Sequence, residues 1–354
     1  MATVPSLSEA SAILGIESSC DETAAAVVRG GEVIESNVVA SQEDLHARFG
    51  GIVPEIASRR HVEQLTFVVQ QALDSAAVGW HDLSAIAVTN GPGLIGSLIV
   101  GVAAAKAYAY ASRLPLVGVN HIEAHVHAAA LRGPDGVSPA AAAGVEYPVV
   151  CLVASGGHCD LLHVPRPGRY HLIGCALDDA PGEALDKAAR ILGLGYPGGP
   201  AIEAAAHGGD ATVVELPRPC VRGTLDFSFS GLKTALLRAL EGPRPGPAVA
   251  DLAASFQAAV VDTLVRNTMR ACEEIRARGL TLSGGVAANS SLRESMAQAA
   301  GRRGVPFAVA PRKLCTDNAA MVAAAGFHLL VRRGPDDLAL EVFSTLPLAE
   351  RPTA

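Results

Sequence analysis

The chain has 354 residues, 49% of them hydrophobic and 4% aromatic, with a formal net charge of −7 from 28 Lys and Arg against 35 Asp and Glu. The apolar content excludes a wholly disordered chain, and the length suffices for two lobes of ordinary size. The acidic balance argues against free-standing nucleic-acid binding through a basic surface, and the scarcity of aromatics against a base-stacking platform. A local basic groove or a partner's surface stays open.

In chain order, the opening dozen residues, MATVPSLSEASA, lack the basic stretch of a signal peptide. ILGIESSCDETAAAVV (Ile13–Val28) reads as apolar strand, polar turn and apolar strand, a hairpin with Ser18, Ser19, Cys20, Asp21 and Glu22 at its tip. RRHVEQLTFVVQQALDSA is a predicted helix, followed by the strand LSAIAVTN. The run GLIGSLIVGVAAA is too short and glycine-rich to span a bilayer, and with the residues after it reads as a helix packed on a sheet. The short strand PLVGV leads into NHIEAHVHAA (Asn120–Ala129), and LRGPDGVSPAAAAGVEYP reads as a linker.

YPVVCLVASGGHCDLLHV (Tyr147–Val164) repeats the opening plan, with a Ser155-Gly156-Gly157-His158 turn between strands, about 135 residues after the first copy. A duplicated core follows, and the alternation of strands and helices predicts an α/β fold whose two hairpins face a common cleft. EGPRPGPAVA reads as a surface loop. TLSGGVAANSSLR (Thr281–Arg293) adds a third glycine turn, strand to helix. Such turns let a nucleotide approach the backbone and aim N–H groups at phosphate. Seven cysteines, none in a C-x-x-C pair, read as thiols of a reducing compartment.

His121 and His125 stand four apart, so on a helix they share a face and an i, i+4 pair can reach one zinc or iron ion. The plainer alternative is a pair of ordinary helix residues, the commoner outcome for such spacing. H-I-E-A-H is not the H-E-x-x-H of zinc proteases, and His127 lies about 200° round from His125. A third ligand is offered by Asp317, at the start of the predicted helix in RKLCTDNAAMVAAAGFHLL, where a simple helix N-cap is the alternative.

GIESSCDET, FGGIVPEIASRRH, TNGPGLIGSL, NHIEAH, VASGGH, DDAPGEALDKAARILGLGYPGGP, SFSGLKTA, SGGVAAN and CTDNAAM follow one another between Ile13 and Ala325. Together they closely resemble the bacterial tRNA adenosine threonylcarbamoyltransferases, the TsaD family, once described as glycoproteases (Gcp). The resemblance implies a duplicated, two-lobe fold like that of actin, sugar kinases and Hsp70, with a nucleotide cleft. The N-terminal lobe would span 13–145, with a final helix at 315–333 packing back near it, and the C-terminal lobe 147–312. It implies transfer of the threonylcarbamoyl group from threonylcarbamoyl-AMP to N6 of adenosine 37 in tRNAs reading codons that begin with A.

By the same resemblance, one divalent ion, iron(II) or zinc(II), sits on His121, His125 and Asp317. Val153, Ala154, Ser155, Gly156 and Gly157 form the substrate loop, Asp186 meets the ribose, and Gly199 and Asn289 approach the nucleotide. Glu203 adds a contact that family members vary, and Asp21 lies near the reaction centre. The implied partners are tRNA, a related dimerising subunit (TsaB-like) and an ATPase (TsaE-like), in the cytoplasm and without a membrane. The helix carrying Ser58–His61 serves a partner contact or is merely solvated. Two other classes fit single features: a metalloprotease fits the histidine pair, and an ATP-dependent kinase or chaperone-like ATPase fits the fold.

Overall fold

The computed structural model describes residues 7–241 and 246–348. The middle of the predicted loop EGPRPGPAVA and the first six residues of the N-terminal dozen lie outside them. The chain divides into two compact units. One is built from the described residues up to Ala142 together with Asp317–Leu348, the other from Ala143–Thr316.

The first unit runs β1 (Ala12–Glu17), β2 (Glu22–Arg29), β3 (Val33–Ser41), α1 (Glu43–Ala47), α2 (Pro54–Ala76), β4 (Leu83–Gly91), α3 (Ile95–Ser112), β5 (Leu116–Asn120), α4 (His121–His127) and α5 (Pro139–Ala142). The second runs β6 (Val149–Ala154), β7 (Cys159–Arg166), β8 (Arg169–Cys175), α6 (Pro181–Leu192), α7 (Gly198–Ala206), α8 (Ser230–Leu240), α9 (Val249–Ile275), β9 (Gly279–Ser283), α10 (Ser290–Arg302) and β10 (Phe307–Val309). The chain then returns to the first unit as α11 (Ala319–Arg333).

The sheets are copies of one plan: β3-β2-β1-β4-β5 and β8-β7-β6-β9-β10. In each, the first three strands form an antiparallel meander and the last two run parallel to the central strand. The central strands AILGIE and VVCLVA are buried along their whole length, as a strand covered on both faces must be. The third strand of each meander, β3 or β8, is only partly buried and lacks the clean apolar run that marks the first two in sequence.

In the first unit one face of the sheet packs on α2 and α3. Helix α3 is long and apolar enough to cross a membrane by length and composition, yet Leu98, Val102, Ala105 and Ala109 are buried against the protein. The other face packs on α11, whose Ala319–Gly326 stretch is buried throughout. Small residues let this helix lie close. A methyl group added at Gly15 of β1 would strike the Ala319 carbonyl, and one at Gly326 would strike Ala87 of β4. Residues 336–346 then strap the parallel edge: Asp336 accepts from the Gly118 amide at 2.8 Å, and the Leu346 carbonyl accepts from Asn120 Nδ2 at 2.8 Å.

Candidate metal centre and glycine turns

The buried strand β5 ends in Asn120, whose side-chain oxygen accepts from the amides of Ile122 and Glu123 and so starts α4. This cap fixes the one and a half turns that carry His121 and His125. Their rings meet edge to face, with centroids 4.8 Å apart. The third member arrives with α11. The sequence left Asp317 as a helix cap or a ligand, and here Asn318 is the cap, accepting from the Met321 amide at 3.2 Å. The Asp317 carboxylate instead turns to the imidazoles: Oδ1 lies 3.5 Å from His121 Nε2 and 3.3 Å from His125 Nε2.

These three residues each offer one ligand atom, all within 4.8 Å of one another. Ligands bonded at about 2.0–2.2 Å around one ion stand roughly 3.4 Å apart in a tetrahedral site, close to the two spacings that Asp317 makes here, while the imidazole–imidazole spacing is wider, within 4.8 Å. His125 is fully buried; its Nε2 faces the Asp317 carboxylate oxygen at 3.3 Å without a well-formed hydrogen bond, and its Nδ1 has no partner. A buried orphan of that kind is costly unless something satisfies it, and a cation would. The residues therefore fit a divalent metal.

The electrostatics point the same way. Burial opposes a charge on His121, but the Asp317 and Glu17 carboxylates outweigh it and hold its pKa up at about 9. At His125 burial prevails and pushes the imidazole down. Glu22 is pushed well up by burial and then by Asp21 and Asp317, and the Cys20 thiol by burial and the same carboxylates. Carboxylates crowded in this way favour a positive partner. His127 stands apart from the cluster. Its ring stacks on His328 at 4.8 Å, and burial pushes its pKa to about 3. Asp21 is half-buried at the tip of the first hairpin, where its carbonyl accepts from the Gln42 amide.

The second unit carries the glycine turns. Between β6 and β7 the Ser155 amide donates to the His158 carbonyl at 2.8 Å, and the His158 amide donates to Ser155 Oγ at 3.1 Å. The Ser155 and Gly156 carbonyls accept from the amides of Gly182 and Glu183, seating the turn on the start of α6. Val153 and Ala154 are buried strand residues behind it. Gly156, Gly157 and Gly199 have no left-handed φ, and a methyl group on any of them would meet nothing within 4 Å. Neither backbone nor packing demands glycine there, so the protein leaves open space at all three. At Gly284 the reverse holds: φ is +90° and an added methyl would strike the Ala154 carbonyl.

Asp186 on α6 accepts from the Gly198 amide at 2.7 Å, tying α6 to the start of α7. Glu203 accepts from the Ser290 amide at 2.9 Å. Asn289 caps α10 by accepting from the Leu292 amide, and its Nδ2 donates to Gln257 at 2.8 Å and to Glu203 at 3.4 Å. Sequence reasoning passed over Glu17, whose carboxylate lies 3.1 Å from His121 Nδ1; Glu123, one position late for H-E-x-x-H, is buried beside Arg332 at 3.5 Å. The signal for Glu17 was a lone acid closing an otherwise apolar strand.

Solved structures at low identity define the class first. T. kodakarensis HypF matches at a TM-score of 0.63 with 16% identity, over 93% of this chain and 48% of that one. Component A of the Acidaminococcus fermentans (R)-2-hydroxyglutaryl-CoA dehydratase matches at 0.51 with 12% identity, over 91% and 99%. With the duplicated meander-and-crossover sheets, these make the chain an α/β protein of the actin, sugar-kinase and Hsp70 fold. A family model described as TsaD, tRNA N6-adenosine threonylcarbamoyltransferase, matches residues 33–324. A protein of that name from Symbiobacterium thermophilum is 54% identical over 90% of this chain and 91% of its own length. One from Geobacillus thermodenitrificans is 50% identical over 95% and 96%. The chain belongs to the TsaD family of tRNA N6-adenosine threonylcarbamoyltransferases and is a transferase.

Proposed function

We propose that this chain transfers the threonylcarbamoyl group of threonylcarbamoyl-AMP to N6 of adenosine 37 in tRNAs reading codons that begin with A, releasing AMP. The observation that carries the reading is the combination of family membership along most of the chain with two imidazoles converging on one carboxylate oxygen. An exocyclic adenine amine is a poor nucleophile, because its lone pair is delocalised into the ring. The mixed anhydride of the donor answers this. The amine nitrogen bonds to the carbamoyl carbon, the bond from that carbon to the phosphate oxygen breaks, AMP departs with the electron pair, and N6 releases a proton.

What remains for the protein is orientation and charge stabilisation. The Ser155–Gly157 turn and the open space at Gly199 receive the adenylate, and Asp186 offers a carboxylate oxygen to ribose hydroxyls. Asn289 meets the nucleotide at the third turn and Glu203 adds a contact beside it, the two held together at the start of α10. Asp21 is the acidic residue assigned to the departing proton. His121, His125 and Asp317 hold one iron(II) or zinc(II) ion, which when bound supplies positive charge to an acyl or phosphoryl oxygen.

tRNA is the acceptor, and a TsaB-like dimerising subunit and a TsaE-like ATPase are the expected partners. The setting is the cytoplasm, in keeping with seven cysteines that form no disulfide and with a tRNA substrate. Mass spectrometry of tRNA nucleosides after depleting the protein tests the activity: an unchanged level of threonylcarbamoyladenosine overturns it. Metal analysis of purified His121→Ala and His125→Ala tests the ion. Both are expected to lose stoichiometric metal together with transfer, and full occupancy in both overturns the ligand assignment.

A further inference from the structure

Glu17 is the last residue of β1 and is fully buried, although every other residue of that strand is apolar. Its two oxygens have separate duties. Oε1 accepts from the Ser19 amide at 2.6 Å, and Oε2 accepts from the Thr89 hydroxyl at 2.7 Å. The same Oε2 lies 3.1 Å from His121 Nδ1. The carboxylate is thus held from two sides and presents a fixed oxygen to the nitrogen of His121 that faces away from Asp317. We propose that Glu17 is a positioning residue for the metal centre: it accepts the Nδ1 hydrogen of His121, locks the ring, and leaves the Nε2 lone pair for a divalent cation.

The inference rests on the metal reading above and on the chemistry of imidazole. A neutral imidazole carries one hydrogen, and the partner of one nitrogen decides which nitrogen is left to bind metal. Ser19 Oγ also lies 3.3 Å from Nδ1, but a hydroxyl both donates and accepts, so it cannot select a tautomer. An ionised carboxylate only accepts, so it can. His125 has no such partner at Nδ1, so the selection is confined to one of the two histidines.

Glutamine is the informative substitution because it keeps the shape and changes the code. Placed at the Oε2 position, its amide NH2 points a donor at His121 Nδ1 and moves the ring hydrogen to Nε2, where the cation must bind. Placed at the Oε1 position, it opposes the Ser19 amide, donor against donor. The first orientation satisfies its neighbours only with the His121 hydrogen moved to Nε2 and the Thr89 hydroxyl turned to accept, and the second leaves the Ser19 amide without an acceptor.

The test uses the full chain, stripped of metal with a chelator and reloaded with zinc(II) alone. Zinc affinity is read by competition with a chromophoric chelator, without substrate. Glu17→Gln is expected to bind zinc about 10–100-fold more weakly than wild type, with an unchanged far-ultraviolet circular dichroism spectrum. In zinc-loaded wild type, 15N NMR of the histidine rings should place the hydrogen of His121 on Nδ1 and the metal shift on Nε2. That second measurement decides the matter even if the variant does not fold. Equal zinc affinity in variant and wild type, or zinc on Nδ1 of His121, overturns the role of Glu17 and leaves the metal reading standing. Wild type that binds no zinc and no iron overturns both.

Discussion

At the scale of single residues, Asp160 of β7 shows what an unneeded charge does. Burial holds its pKa at about 6, against an ordinary 3.8. The folded state therefore binds the proton more tightly than the unfolded chain does. Its stabilising effect is complete below 3.8 and is lost as pH rises through about 6, leaving a penalty of at most about 3 kcal/mol at neutral pH. Asp160→Asn is expected to raise the melting temperature at neutral pH by a few degrees and to flatten the decline between these two values, read by calorimetry across a pH series. Asp186→Ala belongs to the same scale. Under the proposed function it weakens a non-hydrolysable donor analogue more than it weakens tRNA, and unchanged affinity for the analogue in equilibrium binding would leave Asp186 a structural role such as its tie to Gly198. The sequence could offer Asp317 but not free it from the capping reading, because capping is decided by one residue's backbone angles. It could not show Glu17 at all, since that pairing joins residues 104 apart.

At the scale of elements, alternation and turn chemistry exposed both hairpins, the helix after β4 and the strand-to-helix turn of β9. The partly polar strands β3 and β8 stayed hidden, because half-buried strands carry no uninterrupted apolar signal. The run of small residues in α11 has a reason only once the sheet is known: helix and sheet approach so closely that Gly15 and Gly326 have no room for a methyl group. Gly15→Ala would also push against the Ala323 amide nitrogen at 2.8 Å and its Cβ at 2.9 Å. Either Gly15→Ala or Gly326→Ala is expected to destabilise the fold by about 1–3 kcal/mol, seen as a melting temperature lowered by several degrees. An unchanged melting temperature in both would mean that α11 does not lie where it is described.

At the scale of the whole molecule, charge sets the expectation. With 35 acidic against 28 basic residues, the average surface opposes a polyanion. Under the proposed function the chain alone should therefore bind tRNA weakly and turn over poorly, and its two expected partners should restore both. A salt titration of tRNA binding with and without them measures this. Sub-micromolar binding at physiological salt with many turnovers by the chain alone would sink the idea of a composite surface. The first unit is assembled from two stretches of chain, and this bears on biosynthesis. His125 leaves the ribosome about 190 residues before Asp317, which at about 5–20 residues per second is roughly 10–40 s. Throughout that interval the face of β1, β4 and β5 that α11 will cover stays bare while the second unit, continuous from Ala143 to Thr316, is being made; that unit is complete only just before α11 follows. Translation thus completes the inserted unit first, and the nascent first unit must be kept from aggregating until its last helix emerges.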